Sequence, residues 1–241
     1  MLQAVMHKIQ DSYNTSVGPK DSKHCTKCRG RGDYMEVFWL DGIPYEALKK
    51  CECSGAVENE RRLQNSGLTS MKNLKFDNYY VDHEWQRKIK VLAEENASIR
   101  EWFYIGGQVG SGKTHICSAI CNYIMRHGGQ VKYSIWTDDI QELKGFEQDV
   151  KEKINKLKTV EILYIDDLYK GRTTLKDNEQ AITFQILNYR YNNNLKTIIS
   201  SERTIQELLS VDEATASRIK QKAGKYLATV DRQIDRNLRL K

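Results

Sequence analysis

A glycine-rich octapeptide, GQVGSGKT over residues 107–114, constrains the fold of this chain more than any other feature. It fits the pattern G-x-x-x-x-G-K-[ST], and it lies between an apolar strand pattern and a helical pattern. In such a loop the glycines let backbone N–H groups turn towards phosphate oxygens, while the lysine reaches the β- and γ-phosphates and the Ser/Thr hydroxyl ligates Mg²⁺. The sequence therefore predicts a nucleotide-binding α/β domain. The expected nucleotide contacts are Gly107, Gly110, Ser111, Gly112, Lys113, Thr114 and His115.

Strand-like and helix-like segments alternate from about residue 85 onward, which is typical of a parallel α/β sheet. The expected strands cover residues 102–105, 131–135, 162–165, 197–200 and 226–230. The expected helices cover residues 113–127, 138–157, 178–191 and 214–222. Both prolines and four of the six cysteines precede residue 55. We therefore expect a small, loop-rich module at 1–55, a charged linker at 56–74 and the α/β core at 75–241.

Two aspartates, Asp166 and Asp167, end the third expected strand in the run ILYIDDL. A carboxylate at the C-terminal end of a strand beside a phosphate loop is where a nucleotide enzyme holds its metal-bound water. We expect Asp166 to act in this way with Mg²⁺, and Asp167 to replace the glutamate that polarises the attacking water in many ATPases. Because aspartate is one methylene shorter, either the backbone compensates or hydrolysis is slow. The alternative, that both aspartates cap the next helix, stays open.

Four cysteines are crowded into residues 25–53, in the runs CTKCRGRG and KCECSG. A C-x-x-C pair and a C-x-C pair with 22 intervening residues suit tetrahedral zinc, and the glycines let N–H groups turn towards sulfur. The expected zinc ligands are Cys25, Cys28, Cys51 and Cys53. His24 as a substitute ligand, a redox pair and inert thiols remain alternatives. Cys117 and Cys121, four residues apart on the helix after the phosphate loop, are expected to pack in the core.

Several separated blocks carry a family resemblance. They are SGLTSMKNLKFDNY, GGQVGSGKTHICSAI, ILYIDDL, LNYRYNNNLKTIISSE and ASRI. In order and spacing they resemble the AAA+ core of DnaC/DnaI-type replicative helicase loaders and their phage versions, over about residues 62–241. The resemblance implies a five-stranded parallel sheet without a lid domain, ATP-dependent self-assembly and contact with single-stranded DNA. It also implies that the protein binds a DnaB-type replicative helicase and delivers it to single-stranded DNA during replication initiation.

The resemblance further implies roles for residues outside the phosphate loop. Ser201 falls where the family has the polar sensor of the γ-phosphate, often an asparagine. Arg218 matches the family's arginine finger, which acts on ATP held by the adjacent subunit, and Arg239 resembles part of a terminal motif. The implied activity is a slow ATPase that assembly or single-stranded DNA stimulates. DnaI-type loaders also carry an N-terminal zinc module that engages the helicase, and the cysteine cluster is its counterpart here.

Charge and aromatic composition are compatible with contact with nucleic acid. The net charge is +6, and residues 214–241 hold eight Lys or Arg side chains against two Asp. This segment is expected to face DNA or a neighbouring subunit's phosphates, with a solvated surface as the alternative. The run FDNYYVDHEWQRK has aromatic side chains of the kind that stack on single-stranded bases. The alternative is that Phe76, Tyr79 and Trp85 seal the core or an adenine pocket.

Other functional classes are disfavoured. No run of about 18 apolar residues and no secretory signal is present, so we expect a cytoplasmic protein of a bacterial host cell that does not enter the membrane. Guanine-binding proteins need an N-K-x-D loop, and none follows Asp167, so the sequence favours ATP. Two rivals stay open: an IstB-type transposition helper ATPase, and a non-catalytic decoy that binds and inhibits the host helicase or loader. The zinc module disfavours the first. The second is disfavoured by the intact Lys113, Thr114, Asp166 and Arg218.

Overall fold

The computed structural model describes residues 2–16, 25–51, 53–143, 148–172 and 174–240, without the side chains of residues 2, 53, 56 and 57. The chain divides into two compact units, Met1–Arg62 and Leu63–Lys241. None of the helices in the described ranges is both long enough and apolar enough to cross a membrane.

The N-terminal unit contains a helix and a β-hairpin. Helix α1 spans Leu2–Thr15, strand β1 spans Asp33–Leu40, and strand β2 spans Ile43–Lys50. The strands pair antiparallel, and Asp41 and Gly42 form the turn between them with φ of 51° and 77°. An Asp-Gly pair favours this backbone in a two-residue hairpin. Asn14 of α1 fastens the helix to β1, because its side chain donates to and accepts from the backbone of Met35 at 2.9 Å.

The expectation of a loop-rich module is therefore wrong for the described part of this unit. The physical reason is the Asp-Gly turn. It joins two runs that contain aromatic and aliphatic residues, and such a pattern favours a β-hairpin. Helix α2 then spans Cys53–Ser66, within which the expected linker begins. Leu68, just beyond α2, is fully buried in the core of the second unit.

The second unit is built on a five-stranded parallel sheet. Its strands are β3 (Phe103–Gly107), β4 (Val131–Ile135), β5 (Ile162–Asp166), β6 (Lys196–Ser201) and β7 (Leu227–Val230). They lie in the order β4-β5-β6-β3-β7, and every neighbouring pair is parallel. The predicted five-stranded parallel core of an AAA+ protein is confirmed. Because all strands run the same way, the phosphate loop after β3 and the aspartates ending β5 reach the same edge of the sheet.

Helices cover both faces of this sheet. They are α3 (Glu84–Asn96), α4 (Lys113–Arg126), α5 (Trp136–Glu142), α6 (Gln148–Thr159), α7 (Asp177–Asn192), α8 (Ile205–Val211) and α9 (Glu213–Ala223). Strand side chains alternate in direction, so Ile105 of β3 packs in one core with Ile116 of α4, and Tyr104 packs in the other with Ile186 of α7. Burial of each large apolar side chain stabilises the fold by about 1.5–3 kcal/mol.

The single helix expected over residues 138–157 is wrong, because α5 and α6 are separate helices there. Helix α5 ends before Leu143, which has φ of −85° and ψ of 3°. The sequence has a glycine at position 145, and glycine disfavours the middle of a helix by about 1 kcal/mol.

Candidate nucleotide-binding site

Three glycines shape the loop between β3 and α4. Gly107, Gly110 and Gly112 have φ of 115°, 72° and 85°, in the region where a side chain is strained. A Cβ atom on Gly107 would lie 1.9 Å from the carbonyl oxygen of Val230, and one on Gly110 would lie 1.9 Å from Oδ1 of Asn237. The loop therefore needs glycine both for its backbone conformation and for its close contacts with β7 and the C-terminal segment.

The loop borders a cavity of about 270 Å³. Six of the expected nucleotide contacts line it, namely Gly110, Ser111, Gly112, Lys113, Thr114 and His115. Asp167 lines it as well, together with Lys170, Glu202, Leu238 and Arg239, which the sequence did not place there as nucleotide contacts. Gly107 shapes the loop without lining the cavity.

Lys113 begins α4, and its ammonium group lies inside the loop. The Nζ atom donates to the carbonyl oxygens of Gly107 at 3.0 Å and Gln108 at 2.6 Å. Burial lowers the pKa of Lys113, and the nearby carboxylates of Asp167 and Glu202 oppose that shift. A cation at the N-terminus of a 14-residue helix suits phosphate oxygens, because the helix dipole adds to its positive charge.

Asp166, the last residue of β5, meets Thr114 of α4. The Thr114 hydroxyl donates to Asp166 Oδ1 at 3.3 Å. The hydroxyls of Tyr133 and Tyr164 donate to the same carboxylate at 3.0 and 2.7 Å, and the Ser200 hydroxyl donates to it as well. Burial and this carboxylate together raise the pKa of Tyr133. Four hydroxyl donors thus hold a buried carboxylate in place beside the phosphate loop.

Asp167 follows with a left-handed backbone, φ 58°, and its side chain turns to the cavity. Its backbone N–H donates to the Ser200 hydroxyl oxygen at 3.0 Å, and its Oδ2 lies 2.8 Å from Lys170 Nζ. The alternative that the two aspartates cap the next helix is wrong, because α7 begins only at Asp177.

The end of β6 presents Glu202, rather than Ser201, to the cavity. The Ser201 hydroxyl is fully buried, donates to the carbonyl oxygen of Leu168 at 2.7 Å and accepts from the N–H of Arg203 at 3.1 Å. Glu202 lines the cavity, and its Oε1 lies 3.5 Å from Lys170 Nζ. The alternation of side chains along a strand could have indicated this difference. Ser200 and Glu202 point to one side of the strand end, and Ser201 points to the other.

Arg218 lies on α9 and does not line the cavity of its own chain. Its Nε donates to Asn188 Oδ1 at 2.9 Å, and its guanidinium carbon lies 4.6 Å from the centre of the Phe184 ring. Both partners belong to α7. The arginine is therefore held on the outer surface of α7, half-buried, away from the phosphate loop of the same chain.

The aromatic run before α3 packs against the phosphate-loop helix. Tyr79 is buried in the core, and Phe76 and Trp85 pack against that core. His115 turns its Nε2 to the carbonyl oxygen of Lys75 at 3.0 Å, and its ring meets Tyr79 edge-on. These contacts support the alternative that the three aromatic residues seal the core.

Much of the basic C-terminal segment is already paired with acids of its own unit. Lys225 pairs with Glu95, and Arg232 pairs with Glu207 at 3.1 Å. Arg239 instead lines the cavity, where the N–H of Leu238 donates to the carbonyl oxygen of Gly110 at 3.0 Å. These pairings neutralise part of the positive charge of the segment.

Three cysteines form a separate cluster in the N-terminal unit. The sulfur atoms of Cys25, Cys28 and Cys51 all lie within 4.8 Å of one another, with Cys25 and Cys51 3.6 Å apart. That separation is far from the roughly 2.05 Å of a disulfide and close to the ~3.8 Å between sulfurs on tetrahedral zinc. The hairpin brings the three cysteines together, because the pairing of Asp33 with Lys50 places Cys51 beside the C-x-x-C turn.

Backbone geometry supports this cluster as a zinc site. Gly32 donates its N–H to Cys28 Sγ at 3.4 Å, and the Cys51 N–H donates to the Gly32 carbonyl oxygen at 2.8 Å. Cys28 and Cys51 are buried. The chemistry of three clustered thiols fits Zn²⁺. His24 and the side chain of Cys53 lie outside the described residues.

Within the part of the chain that the structure describes, Cys117 and Cys121 belong to no such cluster. Both are fully buried against the sheet on α4, and burial raises the pKa of each thiol. The prediction that they are packing residues is confirmed.

The second unit of the chain matches a known family of ATPase domains. The family model described as the bacterial DnaA ATPase domain matches residues 74–224. The chain belongs to this family of AAA+ ATPase domains. The match covers strands β3 to β6 and ends just after α9, before β7, and it includes the phosphate loop and both aspartates.

The relatives of this chain include a replicative helicase loader. YqaM of Bacillus subtilis is 32% identical over 76% of this chain and 63% of its own length. The phage-like element PBSX protein XkdC of the same species is 28% identical over 86% of this chain and 82% of its own length. The replicative helicase loader DnaC of Buchnera aphidicola is 34% identical over 56% of this chain and 58% of its own length. The chain thus spans less than two thirds of YqaM and of DnaC.

Solved structures of DnaA and DnaI share the fold of this chain. AMPPCP-bound DnaA from Aquifex aeolicus has a TM-score of 0.56 and 26% identity over 69% of this chain and 52% of that one. DnaI has a TM-score of 0.56 over 68% of this chain and 93% of its own, and at 24% identity it shows the shared fold alone. The resemblance to DnaC/DnaI-type AAA+ loaders is confirmed.

Proposed function

We propose that this chain is an ATP-dependent loader of a DnaB-type replicative helicase, acting in the bacterial cytoplasm. The observation that carries the proposal is the meeting of Lys113, Thr114 and Asp166 at one edge of the sheet in a chain of the DnaA ATPase-domain family. Support for the loader role comes from DnaC of Buchnera aphidicola, which is named a replicative helicase loader. XkdC, a protein of a phage-like element, supports a phage or prophage version.

The cavity is the site for ATP and Mg²⁺. Lys113 would meet the β- and γ-phosphates, and Thr114 and Asp166 would hold the metal, because hydroxyl and carboxylate oxygens are the ligands that Mg²⁺ prefers. When bound, Mg²⁺ neutralises charge on the phosphates. Asp167 faces the cavity and would orient the attacking water as a general base. Its short side chain supports a slow turnover, and the family resemblance supports stimulation by assembly or single-stranded DNA.

The family resemblance gives the sensor role to Ser201, but Ser201 and Glu202 at the end of β6 differ in what they contact. Ser201 would fix the turn after β5, because its hydroxyl bonds to the Leu168 carbonyl oxygen. Glu202 would face the nucleotide, because it lines the cavity.

Arg218 would complete the active site of a neighbouring subunit. Its guanidinium is held on α7 by Asn188 and Phe184, so it cannot be counted among the cavity residues of its own chain. A planar guanidinium suits the charge that spreads over the γ-phosphate oxygens in the transition state. Self-association through the ATPase unit follows from this assignment.

The module at 1–55 would bind one Zn²⁺ and contact the helicase, ahead of the 56–74 segment and the ATPase core at 75–241. Cys25, Cys28 and Cys51 supply three thiolates, and Cys53 is the proposed fourth ligand. Zinc would hold the C-x-x-C turn against the end of β2 and so stabilise a unit with a small apolar core.

The test is co-purification with a DnaB-type helicase, with and without ATP, followed by helicase delivery to single-stranded DNA. The parent is compared with Lys113→Ala, with Cys51→Ser and with Lys153→Ala, a control whose side chain is exposed outside the cavity. We expect the parent and the control to bind and deliver the helicase, Lys113→Ala to fail in delivery, and Cys51→Ser to fail in binding. No complex in either nucleotide state would refute the loader proposal. Binding that blocks the helicase regardless of Lys113 would establish the decoy function instead.

A further inference from the structure

A second lysine faces the cavity beside Lys113 and has no part in the proposed chemistry. Lys170 Nζ lies 2.8 Å from Asp167 Oδ2 and 3.5 Å from Glu202 Oε1. The side chains of Lys170, Asp167 and Glu202 are 40%, 24% and 25% exposed, so water and ligands still reach them. Two ammonium groups and two carboxylates thus share the walls of one cavity.

The turn after β5 aims Lys170 at this cavity. Leu168 is fully buried, and Tyr169 is 2% exposed with its hydroxyl donating to Asp212 Oδ2 at 2.7 Å. Asp167 and Tyr169 both have left-handed backbones, with φ of 58° and 57°. Such conformations at residues other than glycine persist where the surroundings fix them. Two buried side chains therefore anchor the turn, and the direction of Lys170 is set by the fold.

The ion pair conflicts with the role proposed for Asp167. While Lys170 donates to Asp167 Oδ2 at 2.8 Å, its ammonium group occupies the space beside the carboxylate in which an attacking water would have to bind. The two carboxylates without Lys170 would also repel a triphosphate at this short range. Lys170 therefore has a function in both situations: it neutralises the acids in the absence of nucleotide, and it must leave Asp167 before that residue can act as a base.

The γ-phosphate is the anion that can draw Lys170 away. A lysine side chain carries three donor hydrogens on a flexible stem, so its ammonium can turn between two acceptors while the backbone stays in place. ADP lacks the group that would compete with Asp167. ATP brings it into the cavity that Lys113, Asp167 and Lys170 share.

We propose that Lys170 senses the γ-phosphate. Lys170 pairs with Asp167 when the γ-phosphate is absent. When ATP is bound, the ammonium group of Lys170 moves to the γ-phosphate, and Asp167 can then orient water. This inference rests on the proposed ATPase function. It makes Lys170 a residue that distinguishes ATP from ADP, in addition to the phosphate-loop lysine, which contacts both nucleotides.

The experiment measures dissociation constants of the full-length protein for ADP and for AMPPCP, each with Mg²⁺. Lys170→Met is compared with the control Lys153→Met. Lys153 pairs with Glu142 outside the cavity, and the distance between the charged atoms is also 2.8 Å. We expect Lys170→Met to bind AMPPCP roughly 10-fold more weakly, which corresponds to about 1.4 kcal/mol, and to bind ADP within about twofold of the parent. Lys153→Met should match the parent with both nucleotides.

A second variant tests the exchange of partners. Asp167→Asn removes the competing carboxylate, so AMPPCP binding should tighten more than ADP binding, and this gain should vanish in the double variant with Lys170→Met. Equal weakening of ADP and AMPPCP by Lys170→Met, or no weakening, would overturn the inference while leaving the ATPase proposal intact. A parent protein that binds neither nucleotide would overturn both.

Discussion

Thr114 and Asp166 stand 52 residues apart in the chain and meet with 3.3 Å between hydroxyl and carboxylate oxygens. The first residue comes from the helix after the phosphate loop, and the second ends a strand that is separated from β3 by β6. The parallel order of the sheet alone brings them together, since every strand finishes at the same edge. A hydroxyl and a carboxylate at this distance form the pair that a phosphate-bound Mg²⁺ needs.

Asp167→Asn should keep nucleotide binding and lose hydrolysis. The amide has nearly the shape of the carboxylate but cannot accept the proton of the attacking water, and a general base contributes about 10²–10⁴-fold to the rate. Steady-state ATPase assays of parent and variant, together with AMPPCP binding, measure both properties. Unchanged turnover in the variant would place the base elsewhere.

Arg218→Ala should lose most ATPase activity, because an arginine that acts on a neighbour's γ-phosphate contributes about 10³–10⁵-fold in related enzymes. Mixing Arg218→Ala with Lys113→Ala protein should restore some activity, since one subunit supplies the arginine and the other the nucleotide. Lys220→Ala, an exposed cation on the same helix, is the control and should stay active. Full activity of Arg218→Ala alone contradicts the assignment, and so does an inactive mixture whose two variants demonstrably assemble together.

Purified protein should contain one zinc ion per chain, and Cys51→Ser should lower that content sharply. Three thiolates and a fourth ligand hold zinc tightly, and loss of one opens the coordination shell. Mass spectrometry of the metal content after purification without chelators gives the measurement. Cys121→Ala, which changes a buried thiol of the ATPase unit, should retain the zinc. Metal-free parent protein would rule out the site, and unchanged ATP binding in Cys51→Ser is expected because the ligands lie in the N-terminal unit.

Arg190→Met should destabilise the ATPase unit by about 3 kcal/mol or more. The guanidinium is fully buried and donates to Thr197 Oγ1 at 2.9 Å and to carbonyl oxygens that include those of Leu157 and Val160. Methionine would fill the space but leave those acceptors unpaired, at a cost of about 1–3 kcal/mol each in a buried setting. Urea unfolding of the variant measures the loss, with the exposed Arg87→Met as control. A loss below about 1 kcal/mol would mean that water replaces the arginine.

The sequence was most informative where burial and local chemistry agree. The runs ILYI and TIIS carry no charge and are rich in isoleucine, and they form the interior strands β5 and β6, because a sheet covered on both faces favours such runs. The phosphate loop was predictable because its glycines satisfy a backbone requirement at Gly107 and Gly110 that no other residue meets.

The remainder depended on contacts between distant segments. Lys170 reaches the cavity only because Tyr169 is anchored on Asp212, which lies 43 residues further along the chain. Arg239 does so because Asn237 packs against Gly110. Ser201 and Glu202 differ by one position, and only the register of β6 decides which of them faces the cavity. The placements of Lys170 and Arg239 follow from the packed fold and have no local signature.

The central claim, that Lys113 binds the phosphates of ATP in this cavity, is tested most directly by calorimetric titration of AMPPCP with Mg²⁺ into parent protein and Lys113→Ala. A hydrogen bond to a charged group is worth about 1.5–3 kcal/mol, so the variant should bind roughly 10- to 100-fold more weakly while its thermal unfolding stays close to that of the parent. Binding of equal strength in the two proteins would contradict the account.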